Sequence, residues 1–68
     1  MENKMMLKKL REINTEVKEM LRSETWAMGV KYHTGDLNGS LQHELNATKL
    51  KVVQDAVLEL LLDNGKEA

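Results

Sequence analysis

Along the first third of the chain Met6, Leu10, Ile13, Val17 and Met20 recur at alternating spacings of four and three residues, with polar residues between them. That is the 3.5-residue seam of a coiled coil or a bundle helix. Neither Pro nor Gly interrupts before Gly29, so the pattern predicts helix one over about residues 3–28, with Ser23 placed to cap a fresh turn and break it. A connection follows over about residues 29–40. Thr34-Gly35-Asp36 and Asn38-Gly39-Ser40 are turn chemistry, because Gly accepts positive φ and Asp, Asn and Ser hydrogen-bond their own backbone. Val30-Lys31-Tyr32 reads as locally extended, without a strand to pair with.

Helix two is expected over about residues 41–63, with Ser40 and Asn46 as alternative caps and Asn64-Gly65 as its stop. A short third turn over about residues 41–45, bending into the main helix, uses both caps. Leu50, Val53, Val57 and Leu60/Leu61 form the seam toward helix one. Leu58 and Leu62 make a second, offset edge, each costing roughly 1.5–3 kcal/mol of burial if left wet. Either they cover the Trp26/Tyr32 segment within one chain, or a second copy shelters them. The expectation is an all-α helical hairpin, one small domain over residues 1–68, assembling into a homodimeric four-helix bundle. Leu50, Val53, Val57, Leu58, Leu61 and Leu62 are its self-association residues.

Size sharpens that expectation. A chain of 68 residues buries only about 60% of its unfolded surface, so its core needs reinforcement. The absence of cysteine removes disulfides and thiolate zinc sites, and two histidines leave little for a metal. Association is what remains. A net charge of −1 gives no global pull toward nucleic acid or membrane. Without an apolar run of about 18 residues, or the apolar centre of a secretory signal after Met1-Glu2-Asn3-Lys4, the cytoplasm is the default compartment.

Charge is nevertheless uneven. Residues 1–23 carry six basic and four acidic side chains, and the remainder four and seven. Lys4, Lys8, Arg11, Lys18 and Arg22 form a row predicted to lie roughly 160° around helix one from the core. The row is either a solvated face or a ridge that meets phosphates or an acidic partner.

Other residues invite chemistry and decline it. His33 and His43, with Asp36 and Glu44 near, match no metal-binding helix spacing. Asp36-Leu37-Asn38-Gly39-Ser40 has Leu41 where a calcium loop needs glycine. No nucleophile–base set, dinucleotide loop or phosphate loop is visible, so neither catalysis nor a cofactor is expected. Trp26-Ala27-Met28-Gly29 slightly resembles the Trp-x-Gly hairpin proteins of type VII secretion, and Tyr32-His33-Thr34-Gly35-Asp36 matches that family's Tyr-x-x-x-Asp pattern. The first motif is one residue too long and the second falls before the second helix, so the family is not assigned.

Trp26, Val30 and Tyr32 read either as a plug at the bundle end or as an anchor for a partner. The functional expectation is a small non-catalytic homo-oligomer that regulates, adapts or inhibits another macromolecule, by analogy with proteins that phages and mobile elements encode. Its partner surfaces are Trp26, Val30, Tyr32 and the basic row; the partner is itself and another protein, not a membrane. One alternative is a DNA- or RNA-binding dimer using the basic row. Another is an oligomer that holds a small nucleotide-like anion with Asn38, Ser40, His43, Asn46, Thr48 and Lys49.

Overall fold

The computed structural model describes the backbone of residues 2–67 and the side chains of residues 4–64. Two helices, α1 (Glu2–His33) and α2 (Leu37–Glu67), pack antiparallel as a hairpin. Neither is long and apolar enough to cross a membrane. The Cα radius of gyration is 15.4 Å, against about 11 Å for a compact domain of this length. The molecule is a rod of 51 × 14 × 12 Å, a single pair of helices with no third layer.

Both helices outrun their expected limits, because one tight corner does the work assigned to a twelve-residue connection. Gly29 does not stop α1; its backbone stays helical and the chain continues to His33. The stop is Gly35, at φ +85°. Its N–H donates to Tyr32 O (3.2 Å) and the Asp36 N–H to Lys31 O (2.9 Å). This double bond pattern around a left-handed glycine satisfies carbonyls that the helix end would otherwise leave open. Asp36 then starts α2. Its Oδ1 accepts the Gly39 N–H at 2.9 Å, and its carbonyl accepts the Ser40 N–H at 3.0 Å.

Asn38-Gly39-Ser40 is therefore the first turn of α2, and Val30-Lys31-Tyr32 the last of α1. Ser23 breaks nothing, and residues 41–45 form no separate turn, since Asp36 already supplies the cap that Ser40 and Asn46 were expected to provide. Asn64-Gly65 does not end α2 either; Asn64 Nδ2 donates back to Leu60 O at 2.7 Å and the helix runs on.

The buried stripe on α1 is Leu7, Leu10, Asn14, Val17, Leu21, Glu24 and Met28. Its counterpart on α2 is Ser40, His43, Ala47, Leu50, Gln54, Val57, Leu61 and Asn64. Both keep the alternating three-four spacing. Two bonds fix their register: Ser40 Oγ donates to Met28 O (3.1 Å), and His43 Nδ1 meets Glu24 Oε2 (2.5 Å). Heptad steps from these place Asn14 level with Gln54 and Leu10 level with Val57.

Compared with the sequence expectation, α1 is rotated by about 60°. Leu10 and Val17 stay inside, but Met6, Ile13 and Met20 lie exposed on one margin. On α2, Leu50, Val57 and Leu61 face α1, while Val53 and Leu60 are exposed. The polar pairs explain the rotation. Glu24, His43 and Ser40 bond to groups on the opposite helix only when they themselves occupy the seam.

Candidate functional site

Trp26 is a single-turn step from the α1 residues on either side of it, and the helix carries it outward, away from α2. It is 72% exposed. Lys18, Leu21, Arg22 and Thr25 line a groove on one side of the indole. Thr25, Gly29, Val30, His33 and Thr34 line a second groove on the other side. These are the i±3 and i±4 neighbours that helix geometry brings onto one face. At Gly29 a side chain would meet nothing within 4 Å, so the bare backbone forms the floor beside the ring. Tyr32 is exposed and sets its ring edge-on to His33, centroids 5.9 Å apart. α1 is unbroken here, and within the hairpin Trp26, Val30 and Tyr32 are exposed.

Lys4, Lys8, Arg11, Lys18 and Arg22 are all exposed. None forms an ion pair within 4.0 Å among the described residues. With α1 rotated, this row lies about 100° from the buried stripe rather than at its back. It flanks the seam on the side away from Met6, Ile13 and Met20. Lys18 and Arg22 belong both to the row and to the Trp26 groove. The Lys18–Arg22 end of the row and the Trp26 groove therefore share one surface.

The six residues considered for an anion do not converge. Ser40 is buried against Met28, and His43 and Asn46 turn toward Glu24. Asn38, Thr48 and Lys49 are exposed, and the Thr48 hydroxyl donates to Glu44 O at 3.0 Å. The start of α2 already holds the Asp36 carboxylate. His33 and His43 sit on different helices with different partners, and no three His, Asp or Glu side chains group to hold a metal among the described residues.

Glu24 is what sequence reasoning missed. Half-buried, it meets His43 and, at 3.4 Å, Asn46 Nδ2. The hydrogen bond from His43 holds its carboxyl below the ordinary glutamate value, against desolvation, with Asn46 adding to the lowering. Asp36 is lowered too, chiefly by the Gly39 N–H, against desolvation and with Lys31 (Nζ to Oδ2 3.6 Å) assisting. The signal for the Glu24 layer was available as polar residues at seam spacing on both helices. An eye seeking the most apolar stripe passes over it.

Of the self-association candidates, Leu50, Val57 and Leu61 face α1, and Val53, Leu58 and Leu62 are exposed. No protein-family model, curated protein or solved structure matches this chain.

Proposed function

We propose that the protein is a small self-associating, non-catalytic binding protein that regulates, bridges or blocks another protein through the outer face of α1. The observation that carries this reading is Trp26, held rigidly on a helix, largely exposed and flanked by Lys18 and Arg22. Exposed tryptophan and arginine concentrate binding energy at interfaces. A bare groove floor at Gly29 and a half-exposed Val30 extend the apolar part of the surface. The cations suit a partner segment in which acidic side chains flank an apolar one. The rod form supports the same reading, since no described large side chain is fully enclosed and the molecule is nearly all surface.

The test is retention of a partner from an extract of the producing cell, compared between wild type, Trp26→Ala and Arg22→Glu. A protein held by wild type and lost from both variants, with helix content unchanged, supports the reading. Identical retention by all three overturns it.

A second reading rests on the basic row, which forms no ion pair among the described residues. Five exposed cations along one side of a rod can follow a phosphate backbone. This reading requires binding to generic duplex at low salt that weakens steeply as salt rises and on Lys4→Ala/Arg11→Ala. Absence of a complex at low salt removes it.

A further inference from the structure

The rotation of α1 leaves an apolar margin that runs along both helices on one side of the hairpin. Met6, Ile13 and Met20 recur every seven residues on α1, and Val53 and Leu60 do so on α2; all five are between 41% and 54% exposed. The register sets Leu60 near the level of Met6 and Val53 near that of Ile13. Met20 shares a groove with Glu24, Asn46, Lys49 and Leu50, which places the two rows on the same side of the molecule. At the turn end the rows finish in Ala27 and Gly39, both small and half-buried. Added to the seam, the margin gives each helix three inward positions in seven, the pattern of a four-helix bundle and wider than a lone hairpin uses.

We propose that a second copy of this chain docks on the Met6–Ile13–Met20–Val53–Leu60 margin, with both turns at the same end of the assembly. This rests on the reading of the protein as self-associating and names a face other than Leu58 and Leu62. Two observations select the occupant. The chain exposes 5536 Å², whereas a compact monomer of its mass exposes about 4,400 Å². The surplus of about 1,100 Å² per chain exceeds the roughly 800 Å² each partner contributes to a stable interface. The margin recurs at heptad spacing along the rod, interrupted on α2 by the half-buried Asn46 between Gly39 and Val53, and it presents the same face on both copies, as a two-fold contact between identical hairpins requires.

Charge decides the direction. Glu16 borders the margin on α1 and Lys49 borders it on α2, and both are exposed. A two-fold axis along the rod lays α1 of one copy over α2 of the other, and each Glu16 then faces the other copy's Lys49. Lys9 faces Ala56 and Ser23 faces Gln42 without repulsion, and Asp63 is the further charged residue of the α2 border, at the open end. Turns at opposite ends would instead set Glu16 on Glu16 and Lys49 on Lys49, which is repulsive.

Sedimentation of the full chain over a range of concentrations tests this. Wild type should sediment at twice 7.8 kDa. Ile13→Glu/Val53→Glu leaves the buried stripe untouched, so it should keep its helix content and lose the dimer, with Kd raised at least about a hundredfold. Glu16→Lys or Lys49→Glu alone should raise Kd by about tenfold, and the two together should restore it. Trp26→Ala should leave the dimer intact, which separates this face from the partner-binding one. A wild type that is a single chain at every concentration overturns both this proposal and self-association. A dimer that survives glutamates at Ile13 and Val53, or a charge swap that fails to rescue, overturns only the proposed face or direction.

Discussion

Gly29 and Gly39 both lie inside helices, yet alanine should act differently at each. Around Gly29 a Cβ meets nothing, so Gly29→Ala should gain about 0.5–1 kcal/mol of stability through helix propensity alone. At Gly39 a Cβ would fall 2.5 Å from Asp36 Oδ2. Gly39→Ala must push the capping carboxylate away, and a lost cap costs about 1 kcal/mol, which cancels the propensity gain. Urea unfolding should therefore find Gly39→Ala near neutral in wild type and stabilising in an Asp36→Ala background. Equal gains in both backgrounds would show that the carboxylate yields without cost. Acid should expose the same groups. Glu24 and Asp36 titrate below their ordinary values in the fold, so the unfolded chain takes up protons first as pH falls. Their stabilisation is complete above the ordinary carboxylate range and is lost progressively as pH falls from that range through the lowered values of the fold. Melting temperature followed down to pH 2 should fall, and Glu24→Gln/Asp36→Asn should flatten that fall; an unchanged curve would assign it to other carboxylates.

Within an element, periodicity and polarity gave different answers. The spacing of Leu10 and Val17 announced α1, and the hairpin followed from a second apolar pattern beyond the glycine-containing middle. Which flank of α1 turned inward was not readable from apolar residues, because Met6/Ile13/Met20 flank the Leu10–Val17 line on one side and Leu7/Leu21 on the other. Polar layers decided between them. Glu24 finds His43, and Ser40 finds Met28 O, only in the observed rotation. The corner was misplaced for a related reason. Asn38-Gly39 has turn composition, but the geometry rewards Gly39 for admitting the Asp36 cap rather than for a turn of its own. The Trp26 surface was legible as residues and not as a place, since Trp26 was expected at the edge of a loop. One layer stays unsettled in energy. Asn14 Oδ1 is buried and receives no hydrogen bond from any described residue. Asn14→Leu should therefore raise stability by about 1–2 kcal/mol in thermal unfolding. A loss instead would mean that this amide holds the register.

As a whole molecule, the hairpin separates its faces around one axis. The apolar margin and the basic row flank the seam on opposite sides, and Trp26 projects away from it. The proposed dimer face and the proposed partner face therefore do not overlap, and a substitution on one should leave the other intact. The chain holds a single tryptophan, and it is already open to water in the folded hairpin. Its fluorescence should then change little in emission wavelength when the protein unfolds or its copies part, yet shift to the blue when something covers the outer face of α1. The indole is a built-in optical gauge of occupancy, blind to folding.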